Sequence, residues 1–269
     1  MLSGGLVFAR NIHTLEDPKA LLQDPKAVEA IREQIKVGDV FIAKKIFSSA
    51  VVSRIKEYLA GVGRNSFPNY LPIEKGCPNF HRVNYWDERS YVKGCFHQFA
   101  FFPWNQDVFN LFELSQTAYY LKNLLSNNRK DRFLGREPEE GCVSRLSFQF
   151  YPQGIGGMNK HQDPVDFHQS TAPSLVMSKK GVDFKEGGFY VEKADGQKLY
   201  LDEIADVGDV LYFNPQTPHG VEIIDPNTEP DWTSFRGRWT MLFATNKLGS
   251  NLSLSNSVDL EKQGQEPGQ

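Results

Sequence analysis

The sequence predicts a mainly β fold with flanking helices (α+β), of the β-sandwich or jelly-roll kind. Three observations predict it. From Cys142 onward, short β-branched and aromatic runs alternate with clusters of Gly, Pro, Asn and Asp, as strands joined by tight turns do. Before residue 130 the apolar residues recur instead at helical spacing. The 269 residues, 40% hydrophobic and 23% charged, suffice for a sizeable core in one larger domain. The expected organisation is a single domain over residues 1–248, with helical and aromatic-rich support in 1–130 and the β core in 142–248. The tail, 249–269, lacks aromatics and is expected to be disordered.

Taken in order, Asp24-Pro25 supplies an N-cap and a first-turn proline. Val28, Ile31 and Ile35 then share a helical face until Gly38. Val40–Ala43 reads as a short strand. Ser48 or Ser49 caps a second helix striped by Val52, Ile55 and Leu59, which Gly61 and Gly63 are expected to end. Residues 67–104 are loop-rich and aromatic, with one alternating strand through Cys95–Phe102. A third helix is expected over roughly 107–126, apolar over much of its girth and so laid against the sheet. A charged connector, 129–141, leads to strands at 145–151, 174–177, 188–191, 198–201, 210–213, 221–224 and 239–245. Strands after helices suggest that the helices back one face of the sheet.

Net charge is -3 with no basic block, so no phosphate-tracking nucleic-acid surface is expected. Cys77, Cys95 and Cys142 are far apart and odd in number, which fits free, mostly buried thiols rather than disulfides or a zinc site. The N-terminal apolar run is too short for a signal peptide, and no run approaches the ~20 apolar residues of a membrane span. A cytoplasmic protein without a membrane partner is expected.

The chemistry concentrates in R-L-S-F-Q-F-Y-P-Q-G-I-G-G-M-N-K-H-Q-D (145–163). A strand runs into a glycine-rich turn and then a second extended segment. There His161 and Asp163, two apart, project to the same face. A third ligand is expected from G-D-V-L-Y-F-N-P-Q-T-P-H-G-V, where His219 follows a strand and a proline-bracketed turn. Two His and one carboxylate in a facial arrangement leave coordination positions open, which suits non-haem Fe(II). His168, Asp166 and Glu222 are rival ligands without the two-residue spacing. His168 reads as substrate-facing or structural, and His13, His81 and His97 as ordinary packed or surface histidines.

These motifs resemble the Fe(II)- and 2-oxoglutarate-dependent oxygenases, whose pattern is His-x-Asp, a distal His and a basic residue on the next strand. The resemblance spans most of residues 37–247. V-F-I-A-K-K-I-F-S-S-A-V-V-S-R-I-K-E-Y-L is similar to the strand-then-helix entry of prolyl-hydroxylase-like members. It implies a double-stranded β-helix, the jelly roll that cupins also use. Arg238 would pair with the far carboxylate of 2-oxoglutarate, and Thr240 would share its face. Arginine suits that role because its fork binds a carboxylate bidentately and keeps its charge when buried. Arg236 is the rival anchor, and the gap from His219 to Arg238 is longer than usual, so that 225–237 must form an extended loop. Q-F-Y-P-Q-G resembles the polar-x-Tyr-x-x-Gly strand of the family, making Gln149 and Tyr151 candidates to hydrogen-bond the keto acid.

What the resemblance implies is O2-dependent hydroxylation of an unactivated C–H, with succinate and CO2 as co-products. The expected substrate is a small polar or sugar-like metabolite, enclosed by the aromatic 80–104 region and the 164–170 loop. Asp163 in place of a small residue argues against halogenation. Three alternatives stay open: a protein side chain as substrate, a cupin-like metalloenzyme without 2-oxoglutarate, and a non-catalytic binding protein.

Overall fold

The computed structural model describes residues 6–249 and 256–261. In chain order the elements are β1 (Ile12–Leu15), α1 (Pro18–Leu21), α2 (Pro25–Lys36), β2 (Val40–Ala43), α3 (Ser49–Asn65), β3 (Phe80–Tyr85), β4 (Gly94–Phe101), α4 (Leu111–Leu114) and α5 (Gln116–Leu125). They continue as β5 (Cys142–Pro152), β6 (Gly157–Gln162), β7 (Ser174–Val176), β8 (Gly188–Glu192), β9 (Lys198–Tyr200), β10 (Val210–Tyr212), β11 (His219–Glu222), β12 (Gly237–Lys247) and β13 (Val258–Asp259).

The strands run in the order β1-β2-β10-β7-β12-β5-β4-β6-β11-β8-β9, with β3 on β4 and β13 on β6. The sheet folds over at β4, which gives His97–Phe101 to β5 but Gly94 and Cys95 to β6. Two facing layers result, and this is the jelly roll.

Strand parity decides what each face buries. On β12, Trp239, Met241 and Phe243 join Phe148 and Phe150 of β5 in a core closed by Val28, Ile31 and Ile35 of α2, Val52, Ile55 and Leu59 of α3, and Leu121 and Leu125 of α5. The opposite parity faces the space between the layers, where Tyr151, Phe189, Val191, Phe213 and Val221 pack together. The helices therefore back one face of the larger layer and leave the inner face for a site.

Most local expectations hold. The Asp24 carboxylate accepts from Ala27 N at 3.0 Å and the Ser48 hydroxyl from Val51 N at 3.3 Å, capping α2 and α3. Cys77, Cys95 and Cys142 are free thiols.

Four expectations need correction. α3 continues through Gly61 and Gly63 to Asn65. At Gly63 a Cβ would lie 2.2 Å from the Phe235 ring, so this glycine admits the ring instead of ending the helix. The third helix starts late, because Asn110 takes a left-handed φ of 52° and the Asp107 carboxylate caps Leu111 N at 2.7 Å, and it is split at Ser115. β3 occupies residues expected to be loop. The tail, expected to be disordered, contributes a strand, since Val258 and Asp259 pair antiparallel with Gln162 and His161; residues 250–255 and 262–269 lie outside the described residues.

Candidate metal centre and its cavity

The glycine-rich turn exists to reverse the chain between β5 and β6. Gly154 sits at φ 84°, and a Cβ there would lie 2.2 Å from the Thr228 carbonyl oxygen. The return strand carries His161, with Asp163 just beyond its end. β11 lies beside β6 with His219 directly opposite His161, and the two imidazole centroids are 4.1 Å apart.

One donor atom from each of His161, Asp163 and His219 lies within 4.8 Å of the others. Residues 58 apart in sequence thus converge, and it is the only such group among the described residues. Both histidines are held in one tautomer. The His161 Nδ1 donates to the Asn159 carbonyl at 2.9 Å and the His219 Nδ1 to the Thr217 carbonyl at 2.7 Å. A carbonyl can only accept, so each Nδ1 carries a proton and each Nε2 is the nitrogen whose lone pair a metal would take. The His219 Nε2 is 3.7 Å from Asp163 Oδ2.

Asp163 Oδ1 accepts from the Ser257 hydroxyl at 2.5 Å, which leaves Oδ2 on the side of His219. Burial opposes ionisation of Asp163, but His219, His161 and Ser257 outweigh it and hold the carboxyl below its usual range. Burial, with His219 beside it, takes His161 down to about 4, so it is a neutral imidazole. A neutral imidazole at His161 and an ionised carboxylate at Asp163 are protonation states that suit a divalent metal. The rivals are occupied elsewhere: His168 pairs with Asp166, and Glu222 with Lys198 and Tyr200.

The group opens onto a cavity of about 610 Å³ between the two layers. Gln149, Tyr151, Arg238 and Thr240 all line it, and the register sets Arg238 opposite Tyr151 and Thr240 opposite Gln149. Arg236 is exposed and outside the cavity. The long loop before β12 is pinned to α3 by Arg64, whose Nε donates to the Thr233 carbonyl at 2.9 Å.

The burial of Arg238 does not require a keto acid, because Asp202 takes its guanidinium side-on, at 2.6 Å to Nε and 3.0 Å to the second nitrogen. Both residues are 2% exposed. Asp202 also accepts from Phe189 N at 2.6 Å. The remaining, end-on fork of Arg238 is not engaged by these bonds. The Tyr151 hydroxyl donates to Gln149 Oε1 at 2.7 Å, and the Thr240 hydroxyl to the Leu175 carbonyl at 2.9 Å.

The pocket wall does draw on 80–104 and 164–170, through Arg82, Asn84, Phe96, Gln98, Pro164 and His168 among others. It is more polar than the aromatic run suggests. His81, His97 and Phe99 point the other way, stacked on one another. Sequence reasoning missed Asp202, Ser257, Arg82 and Arg145. The even spacing of Arg145, Gln149 and Tyr151 was the available signal for the last of these.

Comparison of the sequence with models of known families, and with curated proteins, finds no match. Solved structures do match in fold. A full-length Neurospora crassa protein, solved in complex with alpha-KG, superposes with a TM-score of 0.51 at 12% identity, covering 92% of this chain and 87% of that one. A Pseudomonas putida prolyl-4-hydroxylase gives 0.49 at 12% identity over 80% and 96% of the two chains. JOX2 in complex with 2OG, Fe and JA gives 0.48 at 13% over 95% and 80%. The likeness to the Neurospora crassa structure establishes the double-stranded β-helix. No helix among the described residues is long and apolar enough to cross a membrane.

Proposed function

We propose that the chain is an Fe(II)- and 2-oxoglutarate-dependent oxygenase that hydroxylates an unactivated C–H of a small polar molecule. The observation that carries this reading is the convergence of His161, Asp163 and His219 in one cavity with Arg238. The donor set fits iron: two Nε2 lone pairs and one carboxylate oxygen on one side of a space, leaving the other side open. Sharing a fold with the Neurospora crassa protein, which was solved with alpha-KG, supports it further.

Bound iron would supply the site at which O2 oxidises the keto acid to succinate and CO2 and a substrate C–H is hydroxylated. The protein's part is positional. The carbonyls of Asn159 and Thr217 fix the two imidazoles, and Ser257 turns the Asp163 carboxylate. Arg238 would offer its end-on fork to the distal carboxylate of the keto acid, with Asp202 holding the guanidinium in plane. Tyr151 and Gln149 lie on the same wall to hydrogen-bond that carboxylate. Phe213 and Phe189, with ring centroids 5.0 and 6.1 Å from that of His219, keep water from its flank.

Anaerobic addition of Fe(II) and 2-oxoglutarate should produce a visible charge-transfer band, and admission of air should yield succinate. His219→Ala should lose both. A loaded wild-type protein without the band would sink the proposal. One observation favours a second reading, a metalloenzyme that takes no keto acid: Asp202 already neutralises Arg238. That reading expects substrate turnover indifferent to 2-oxoglutarate and to Arg238→Gln.

A further inference from the structure

We infer that the end of the cavity remote from Arg238 is an anion subsite, where Arg145 and Arg82 together grip an oxyanion, carboxylate or phosphate, carried by the substrate. This rests on the oxygenase reading and names the substrate class for it.

Arg145 lies on β5, six residues and three same-face steps from Tyr151, which stands opposite Arg238. At ~3.4 Å per residue the two positions are roughly 20 Å apart along the sheet, so the arginines serve opposite ends of the cavity. Opposite Arg145 on β12 is Ala244, whose methyl group leaves space above it. Arg82 reaches the same wall from β3, through Gln98 of β4. Gln98 accepts from the Arg82 guanidinium and donates to the Ser147 hydroxyl at 2.6 Å. The Arg82 guanidinium also lies 4.7 Å from the Tyr70 ring centroid. Both arginines line the cavity.

Neither has a carboxylate within ion-pair distance among the described residues, and the Nε of each is buried without a hydrogen-bond partner. Burial, then the neighbouring Arg82, takes the Arg145 guanidinium down to about 10. Burial likewise lowers that of Arg82. Two like charges sharing a desolvated wall are costly unless something negative joins them. Asp163 acts on Arg145 and Asp87 on Arg82 from beyond ion-pair distance, yet the Asp163 oxygens are turned to Ser257 and His219 and those of Asp87 to Arg89. A substrate oxyanion is what the wall lacks, and its two guanidinium forks match carboxylate or phosphate geometry. An anion held there would leave the rest of the molecule lying toward His161, Asp163 and His219.

The test uses the full chain without metal, titrated calorimetrically with inorganic phosphate and, separately, with acetate. Phosphate binding favours a phosphorylated substrate, acetate binding a carboxylated one. Arg145→Gln and Arg82→Gln should each weaken the preferred anion about tenfold or more. Arg145→Lys, which keeps charge but not the fork, should fall between, and it serves if Arg145→Gln does not fold. Exposed Arg236→Gln should change nothing. With Fe(II) added anaerobically, the Arg82 and Arg145 variants should keep the affinity for 2-oxoglutarate read from the charge-transfer band.

Anion binding that is absent from wild type, or unmoved in the Arg82 and Arg145 variants, overturns the inference. A lost keto-acid band in Arg145→Gln overturns it too, by making the pair the co-substrate anchor. Absence of the band in wild type would instead remove the oxygenase reading, and the phosphate and acetate titrations would still decide the arginine site.

Discussion

Arg238 and Arg145 stand on the same inner face of neighbouring strands, β12 and β5, yet the protein treats them oppositely. Arg238 is sealed against Asp202, a carboxylate 36 residues away whose oxygens are taken by that guanidinium and by Phe189 N. Arg145 and Arg82 have no carboxylate within ion-pair distance among the described residues, and they crowd each other. A charge neutralised from within is part of the scaffold and can position a ligand with its spare fork. A charge left without a counter-ion in a cavity carries a desolvation cost that a ligand can relieve, and such uncompensated groups gather at functional sites.

The contrast is broken most forcefully at Asp202. Asp202→Asn leaves a buried guanidinium short of its counter-charge and should destabilise the protein by about 3–5 kcal/mol, measured by denaturant unfolding. A loss under ~1 kcal/mol would mean that Arg238 does not depend on this partner. Between the two ends sit the candidate ligands His161, Asp163 and His219, and there Ser257→Ala frees Asp163 Oδ1. Fe(II) affinity should fall by about 10- to 100-fold, read by competition with a chelator, while Arg238 and Arg145 stay in place. Unchanged affinity would make the β13 contact incidental.

Arg145→Met provides the mirror of Asp202→Asn. Removing a charge that lacks a protein partner should leave the ligand-free protein as stable as before or up to about 2 kcal/mol more stable. A loss comparable to that of Asp202→Asn would erase the distinction between the two ends.

The smallest effect separates this wall from its reverse side. His81 and His97, on the outer face of β3 and β4, share a 2.9 Å hydrogen bond. Burial takes them down to about 4 and about 3 from 6.5. Both are neutral in the fold, and below pH 6.5 the unfolded chain binds protons that the folded one refuses. Stability is therefore fully present above pH 6.5 and lost as pH falls toward 4. Replacing both by Leu should flatten that acid limb, seen by comparing denaturant midpoints at about pH 7 and about pH 5. An unaltered slope would locate the pH sensitivity elsewhere.

Much of this was legible in the chain. Helix caps at Asp24 and Ser48 depend on residues three apart, and the alternation of β5 and β12 on residues two apart, so local pattern suffices for them. His161 and Asp163 were readable for the same reason. His219 was readable because a proline-bracketed turn after a strand offers a ligand to whichever strand lies beside it. The N-terminal limit of the third helix was not, since nothing in Asp107–Asn110 announces a left-handed Asn110. Nor was β13, a two-residue strand whose existence depends on β6 presenting a free edge.

By itself the sequence determined which side chains share a face, because a period of two is written in the order of residues. It thereby set His161 beside Asp163 on one face, and Arg238 beside Thr240 on another strand. Only the tertiary structure decided which of those groups are already satisfied. Asp202 for Arg238, Ser257 for Asp163, and no carboxylate within ion-pair distance for Arg82 and Arg145 among the described residues, are pairings across the fold between residues 36 to 94 positions apart, or the lack of one. Desolvation and Coulomb energy depend on distance through space, and no local pattern encodes that distance.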